Sequence, residues 1–69
     1  MTAQEANAIL NQTYPQKEVM GYWEVNGLYI FNTKSDDCTP VQFIVTPTQD
    51  VYGIYPISET LDAKTMKTL

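Results

Sequence analysis

The densest group of polar side chains in this sequence is Asp36-Asp37-Cys38, within the polar stretch 34–40. Carboxylates and thiols are ligands that metal ions use in proteins. No other residue stands at the spacing of a metal motif, and calcium loops place their oxygens at alternating positions with a distal Glu. Because Asp favours turns by hydrogen bonding to nearby backbone, we interpret this group as a solvated loop. We predict no metal site and no cofactor.

Catalysis by Cys38 or by paired carboxylates is disfavoured by the composition. The sequence has no His and no Arg, which excludes a Ser-His-Asp triad and a Cys-His pair. Cys38 therefore lacks a base or a nearby cation to lower its pKa. The sequence does not place a second carboxylate across a cleft from Glu24, and 69 residues leave little room for a substrate pocket. We predict a protein without catalytic residues.

The charge balance bears on partners and compartment. Eight acidic residues and four lysines give a net charge of -4. Binding of nucleic acid or of an anionic membrane needs cations, so we predict neither. The acidic surface either favours a basic protein partner or serves solubility. A single cysteine precludes an internal disulfide, and the sequence has neither a leader pattern nor a long apolar run. We therefore expect a cytoplasmic protein.

Residues 3–12 are predicted to form a short helix. Thr2 and Glu5 have the spacing of a capping box, which satisfies free backbone donors at a helix start. Pro15 prevents the helix from continuing. Four apolar residues share one face at helical spacing: Ala3, Ala6, Ile9 and Leu10. A helix this short is not stable in water alone, so it must pack on a sheet.

Asn26-Gly27 predicts a type I′ hairpin between strands at about 19–26 and 28–34. A two-residue turn fixes the pairing: Val25 with Leu28, Glu24 with Tyr29, Trp23 with Ile30, and Tyr22 with Phe31. Side chains alternate between the faces of a strand. We predict that the helix covers the face with Trp23, Val25, Leu28 and Ile30. The opposite face then holds Tyr22, Glu24, Tyr29 and Phe31.

The rest of the chain predicts two further strands and a tail. The third strand lies at about 41–46, with Phe43 and Val45 buried, and we place Phe43 beside Trp23. The fourth lies at about 51–57, with Gly53 as a candidate bulge. Residues 58–69 form a tail, and whether it is helical stays open. The prediction is one α+β domain over 1–69, a short N-terminal helix on a three- to four-stranded antiparallel β-meander.

Aromatic residues are the strongest indication of function. Seven of the eight lie between Tyr22 and Tyr55. An uncovered aromatic face is typical of a contact surface. We predict six partner-binding residues, of which the carboxylates steer a basic partner: Tyr22, Glu24, Tyr29, Phe31, Asp50 and Tyr52. Two alternatives stay open. The tail covers this face through Leu61 and Met66, or aromatic pairs across strands only stabilise the sheet.

The layout of helix, hairpin and strand–turn–strand, ending in Val45-Thr46-Pro47-Thr48-Gln49-Asp50-Val51, resembles the small helix-plus-meander domains of the PepSY type and bacterial immunity proteins of similar shape. The resemblance covers about residues 2–57 and departs at the turn, where Asp50 replaces the usual Gly and Thr46 the usual Asp. It implies an inhibitory or partner-binding module without catalysis. The size and acidity also resemble small accessory proteins of phages and mobile elements.

Two functions follow as expectations. The first is a non-catalytic module that docks on a protein partner. The second is a structural protomer that forms a homodimer or larger assembly through its aromatic sheet face.

Overall fold

The computed structural model describes residues 1–34, 42–54 and 63–69. Its elements are the helix α1 (Ala3–Thr13), the strands β1 (Val19–Val25), β2 (Leu28–Thr33), β3 (Gln42–Val45) and β4 (Val51–Ile54), and a 3-10 turn at Ala63–Thr65. The four strands form one antiparallel sheet in chain order, and α1 packs on one of its faces. The predicted α+β meander is confirmed. The ends of the predicted third and fourth strands, 41 and 55–57, lie outside the described residues, as do 58–62.

The start of α1 has both halves of the predicted capping box. The backbone N–H of Glu5 donates to Thr2 Oγ1 (3.2 Å), and the N–H of Thr2 donates to the Glu5 carboxylate (3.4 Å). At the other end the N–H of Tyr14 donates to the carbonyl of Leu10 (2.8 Å), and Pro15 follows. The predicted apolar face is confirmed: Ala3, Ala6 and Leu10 are buried and Ile9 is half-buried.

The β1–β2 hairpin has the predicted turn and pairing. Asn26 and Gly27 both adopt positive φ, of 51° and 81°, as a type I′ turn requires. The observed pairs run from Val25 with Leu28 to Tyr22 with Phe31, which matches the predicted register. This local signal therefore determines which side chains share a face.

A bulge interrupts β1 near its start, where the sequence analysis predicted none. Val19 pairs with Thr33 and Gly21 with Asn32, so Met20 is the extra residue between them. The register of β4 is regular through Gly53, and the bulge considered there is absent.

The helix covers the face that was predicted to be open. Tyr29 is 7% exposed, and Phe31, Phe43 and Val45 are fully buried beneath α1. The prediction placed Phe43 beside Trp23. In the structure β3 pairs with β2 so that Phe43 lies opposite Phe31 and Val45 opposite Tyr29. This register puts the largest rings on one face, where the small alanines of α1 leave room for them.

The other face of the sheet, here called the outer face, is also partly buried. Trp23 is 7% and Ile30 9% exposed on it. Next to β1 lies segment 63–69, in which Lys67 forms an antiparallel bridge with Tyr22. Over these residues the tail is one 3-10 turn followed by an extended stretch, not an α-helix that continues through Lys67.

Two side chains close the core at the end where α1 leaves the sheet. The Tyr14 ring lies 4.7 Å from the Phe43 ring. Lys17 is 8% exposed, and its Nζ lies 5.9 Å from the same ring. A lysine stem covers apolar surface while its ammonium stays near the π face. Lys17 therefore belongs to the packing of this end.

We expect Phe31→Ala to unfold the chain. Truncating a buried Phe costs about 3–5 kcal/mol, and a core of this size rarely supplies more than about 3–5 kcal/mol in total. Circular dichroism at 25 °C measures the loss of sheet and helix signal. Tyr52→Ala, at a position 56% exposed, is the control and should keep the wild-type spectrum. A folded Phe31→Ala chain would contradict the assignment of this residue to the core.

Candidate protein-binding surface

Three of the six predicted partner-binding residues form a cluster beneath the helix. The ring of Tyr22 lies 6.0 Å from that of Tyr29 and 5.8 Å from that of Phe31, and the last two stack at 6.4 Å. Tyr29 and Phe31 are buried and Tyr22 is half-buried. The structure thus brings these aromatics together as predicted. The prediction that they are exposed is wrong for Tyr29 and Phe31.

The other three predicted residues, Glu24, Asp50 and Tyr52, are exposed but do not share a face. Glu24 pairs with Tyr29 and so belongs to the helix side of the sheet. Tyr52 pairs with Ile44, in the same row as Ile30, and so belongs to the outer face. Asp50 lies in the turn before β4. Of the predicted aromatic residues, Tyr52 is the most exposed.

Five apolar side chains on the outer face retain exposed surface, and we call them the outer patch: Val25, Leu28, Ile44, Tyr52 and Ile54. Tyr52 is 56% and Val25 41% exposed, and the other three are half-buried. Val25 pairs directly with Leu28, and Tyr52 with Ile44. Side chains this close across strands form a continuous surface. Together they leave apolar area in contact with water.

Sequence reasoning missed most of the outer patch because it assigned the faces the wrong way round. It placed Val25 and Leu28 in the core beneath the helix. The pairing of Phe31 with Phe43 determines which face of the sheet the helix covers. These two strands are separated by residues 34–41 rather than by a two-residue turn. No short sequence signal therefore predicts their pairing, as Asn26-Gly27 predicts the pairing of the hairpin.

The β3–β4 turn holds the Asp50 carboxylate in place. Thr48 Oγ1 donates to Asp50 Oδ2 (2.9 Å), and the N–H of Asp50 donates to Thr46 Oγ1 (3.1 Å). Gln49 adopts a φ of 69°. A Cβ at Gly27 would lie 4.0 Å from the Pro47 ring, so this turn lies beside the hairpin turn. Asp50 is therefore a fixed negative charge at the turn end of the sheet, two residues before Tyr52 of the outer patch.

Further acidic groups lie near the same end of the sheet. The Tyr29 hydroxyl donates to the carbonyl of Met1 (3.0 Å). The nearby Glu24 carboxylate raises the pKa of Tyr29 most, and burial and the charge of Glu5 raise it further. Both carboxylates therefore lie close enough to act on this hydroxyl. The turn end of the sheet is an acidic region of the described surface.

Within 1–34, 42–54 and 63–69 no group of three or more His, Cys, Asp or Glu side chains could hold a metal ion. The stretch Asp36-Asp37-Cys38 lies outside the described residues. In the part of the chain that the structure describes, no helix has the length and apolarity needed to cross a membrane.

Comparisons with protein-family models, with curated proteins and with solved structures found no match for this chain. The resemblance to PepSY-type domains and to immunity proteins therefore stays a prediction that rests on layout alone.

The raised pKa of Tyr29 predicts a loss of stability at high pH. A group whose pKa is raised by folding stabilises the fold fully below its ordinary value, which is about 10 for tyrosine. That contribution disappears as the pH rises through the folded value. We expect the free energy of unfolding to fall above pH 10, and to fall less in Tyr29→Phe.

Urea unfolding followed by circular dichroism, from about pH 8 to about pH 11, measures this difference. Tyr52→Phe, which removes an exposed hydroxyl, is the matched control and should follow the wild type. Identical pH profiles for the wild type and Tyr29→Phe would contradict the role given to this hydroxyl.

Proposed function

We propose that this chain is a non-catalytic module that binds a protein partner through the outer patch. The observation that carries the proposal is Tyr52, a large aromatic side chain on β4 that is 56% exposed beside the half-buried Ile44. Tyrosine is enriched at the energetic centres of interfaces because it buries a large area with few rotatable bonds. Apolar neighbours around such a residue exclude water when a partner docks.

The charge of the chain supports a basic partner. The net charge is -4, and Asp50 is held by Thr46 and Thr48 at the rim next to the outer patch. A fixed rim charge steers an oppositely charged surface and raises the association rate more than the affinity. Glu24 contributes to the same acidic end from the helix side. Tyr22, Tyr29 and Phe31 support the surface from beneath and do not contact the partner.

The class of partner and the compartment belong to the same proposal. We infer an inhibitor or immunity protein, because the layout resembles such domains, or a phage-type accessory protein, because the size and acidity resemble that class. We place it in the cytoplasm because a domain this small with a single cysteine is typical of a reducing compartment.

A second candidate function is a structural protomer. The sequence predicted assembly through the aromatic sheet face, but α1 covers that face in the structure. Assembly is still supported by the edge strand β4. Its free edge is paired with no other strand among the described residues. An unpaired edge accepts a strand from another chain. Two copies joined along β4 would form one continuous sheet.

We expect Tyr52→Ser to abolish capture of the partner. A tagged full-length chain is used to retain proteins from a bacterial lysate, beside Tyr52→Ser and the control Met20→Ser. Met20 is 50% exposed and lies at the bulge, outside the outer patch. Loss of a central tyrosine costs about 2 kcal/mol or more, a weakening of about thirtyfold.

A protein captured by the wild type and by Met20→Ser but lost with folded Tyr52→Ser supports the proposal. Equal capture by all three chains would overturn the assignment to this patch. Sedimentation of the purified wild type tests the second candidate, since a homo-oligomer formed without any other protein would favour the structural protomer and a monomer would contradict it.

Asp50→Asn is expected to reduce the salt dependence of that capture. The substitution keeps an oxygen that accepts the Thr48 hydrogen bond and removes the charge. Screening between exposed charges grows as the Debye length falls from about 10 Å at 0.1 M salt to about 3 Å at 1 M. The wild type should lose captured protein over this range, and Asp50→Asn should lose less. Parallel salt curves would show that Asp50 does not steer the partner.

A further inference from the structure

The edge of β1 binds segment 63–69 of the same chain, which is extended after the 3-10 turn Ala63–Thr65. The N–H of Tyr22 donates to the carbonyl of Lys67 (2.9 Å), and the N–H of Lys67 donates back to the carbonyl of Tyr22 (2.9 Å). This reciprocal pair is the hydrogen-bonding unit of an antiparallel sheet. Segment 63–69 therefore adds to the sheet beside β1 as a strand would.

A notch at Gly21 receives the side chain of Met66. A Cβ at Gly21 would lie 2.6 Å from Met66 Cγ, 2.7 Å from its Sδ and 2.8 Å from the carbonyl oxygen of Lys67. Those distances are too short for any residue other than glycine. On the neighbouring strand Asn32 Nδ2 lies 3.8 Å from the same sulfur. The notch thus selects an unbranched side chain, and methionine fits it.

A third contact comes from the tryptophan on the outer face. Trp23 Nε1 donates to Thr65 Oγ1 (3.2 Å), and Trp23 is 7% exposed. Behind Asn32 lies Gln42, whose Nε2 donates to Asn32 Oδ1 (3.5 Å). The Oε1 of Gln42 is buried without a partner among the described residues. The groove therefore holds Thr65 by a hydrogen bond from the indole, Met66 by the notch, and Lys67 by its backbone alone.

We propose that this groove, formed by the β1 edge at Tyr22, Gly21 and Trp23, also accepts residues 63–69 of a second copy of the chain. The occupant seen in the structure shows which chemistry fits, and a second copy carries the same sequence. When the segment comes from another chain, each of these three contacts can form as before. The difference is the entropy of binding, because the groove and the segment are then on separate chains. Strand addition of this kind is a common mode of peptide recognition.

The tether sets the concentration at which exchange occurs. Eight residues, 55–62, connect β4 to segment 63–69. A connection of this length gives an effective concentration in about the millimolar range. Binding in trans therefore competes when the local concentration of the chain approaches that range, or when the internal contact is disabled in one partner.

The test uses two full-length chains, each with one half of the contact disabled. In the first, Gly21→Val fills the notch and frees its segment 63–69. In the second, Met66→Asp with Lys67→Pro removes the notch side chain and the N–H that pairs with Tyr22, and leaves the groove empty. The single tryptophan gives one indole N–H resonance, which reports on the hydrogen bond to Thr65. The second chain is isotope-labelled and titrated with the unlabelled first chain.

We expect the indole resonance of the labelled chain to move toward its wild-type position, with half-saturation at or below about the millimolar range, because neither chain keeps an internal competitor for the groove. A chain that carries all three substitutions is the control and should cause at least about a tenfold smaller shift. No shift, or an equal shift with the control, would overturn the proposal. Should Gly21→Val not fold, a synthetic peptide of residues 63–69 replaces it, with the Met66→Asp peptide as control and the same two outcomes.

This inference is independent of the outer patch. None of the three substitutions alters Tyr52 or Asp50, so the capture experiment and the titration fail or succeed separately.

Discussion

The contact between Phe31 and Phe43 is the constraint on which the rest of this structure depends. The two rings come from paired positions of β2 and β3 and have no exposed surface. A helix with Ala3 and Ala6 on its buried side can approach such rings closely, whereas a helix with larger side chains could not. Their position fixes the face that α1 covers. It also fixes which apolar side chains are left on the outer face.

The local elements could be predicted because each rests on a signal a few residues long. The Thr2–Glu5 capping box and the Asn26-Gly27 turn depend on backbone conformations that only a few residue types favour. The choice of the covered face had no such signal, because both faces of the hairpin are apolar. It depends on the pairing of β2 with β3, which are joined by the long connection 34–41 rather than by a tight turn. The extra residue Met20 likewise gives no periodic signal.

The candidate site was predicted only in part, for the same reason. Asp50 was predicted as a steering charge and Tyr52 as part of the open aromatic surface, and both are exposed. Tyr29 and Phe31 were identified by residue type, and their burial follows from tertiary packing that residue type does not encode. The groove at β1 was missed altogether. Its one sequence signal is Gly21, a glycine in a strand otherwise rich in large side chains, which often marks the close approach of another backbone.

The bulge in β1 separates the pairing of Val19 from the regular ladder that begins at Gly21. Val19 pairs with Thr33 and packs against the helix-side core, while Met20 occupies no position in the ladder and is 50% exposed. Removing Met20 would join the Val19–Thr33 and Gly21–Asn32 pairs into a regular ladder. Every side chain would stay on its present face of the sheet. Elsewhere in the sheet the loss of one residue turns every following side chain to the opposite face. Among the described strands, β1 thus has a position at which one residue can be gained or lost without turning the core side chains to the other face, and that position lies next to the notch at Gly21.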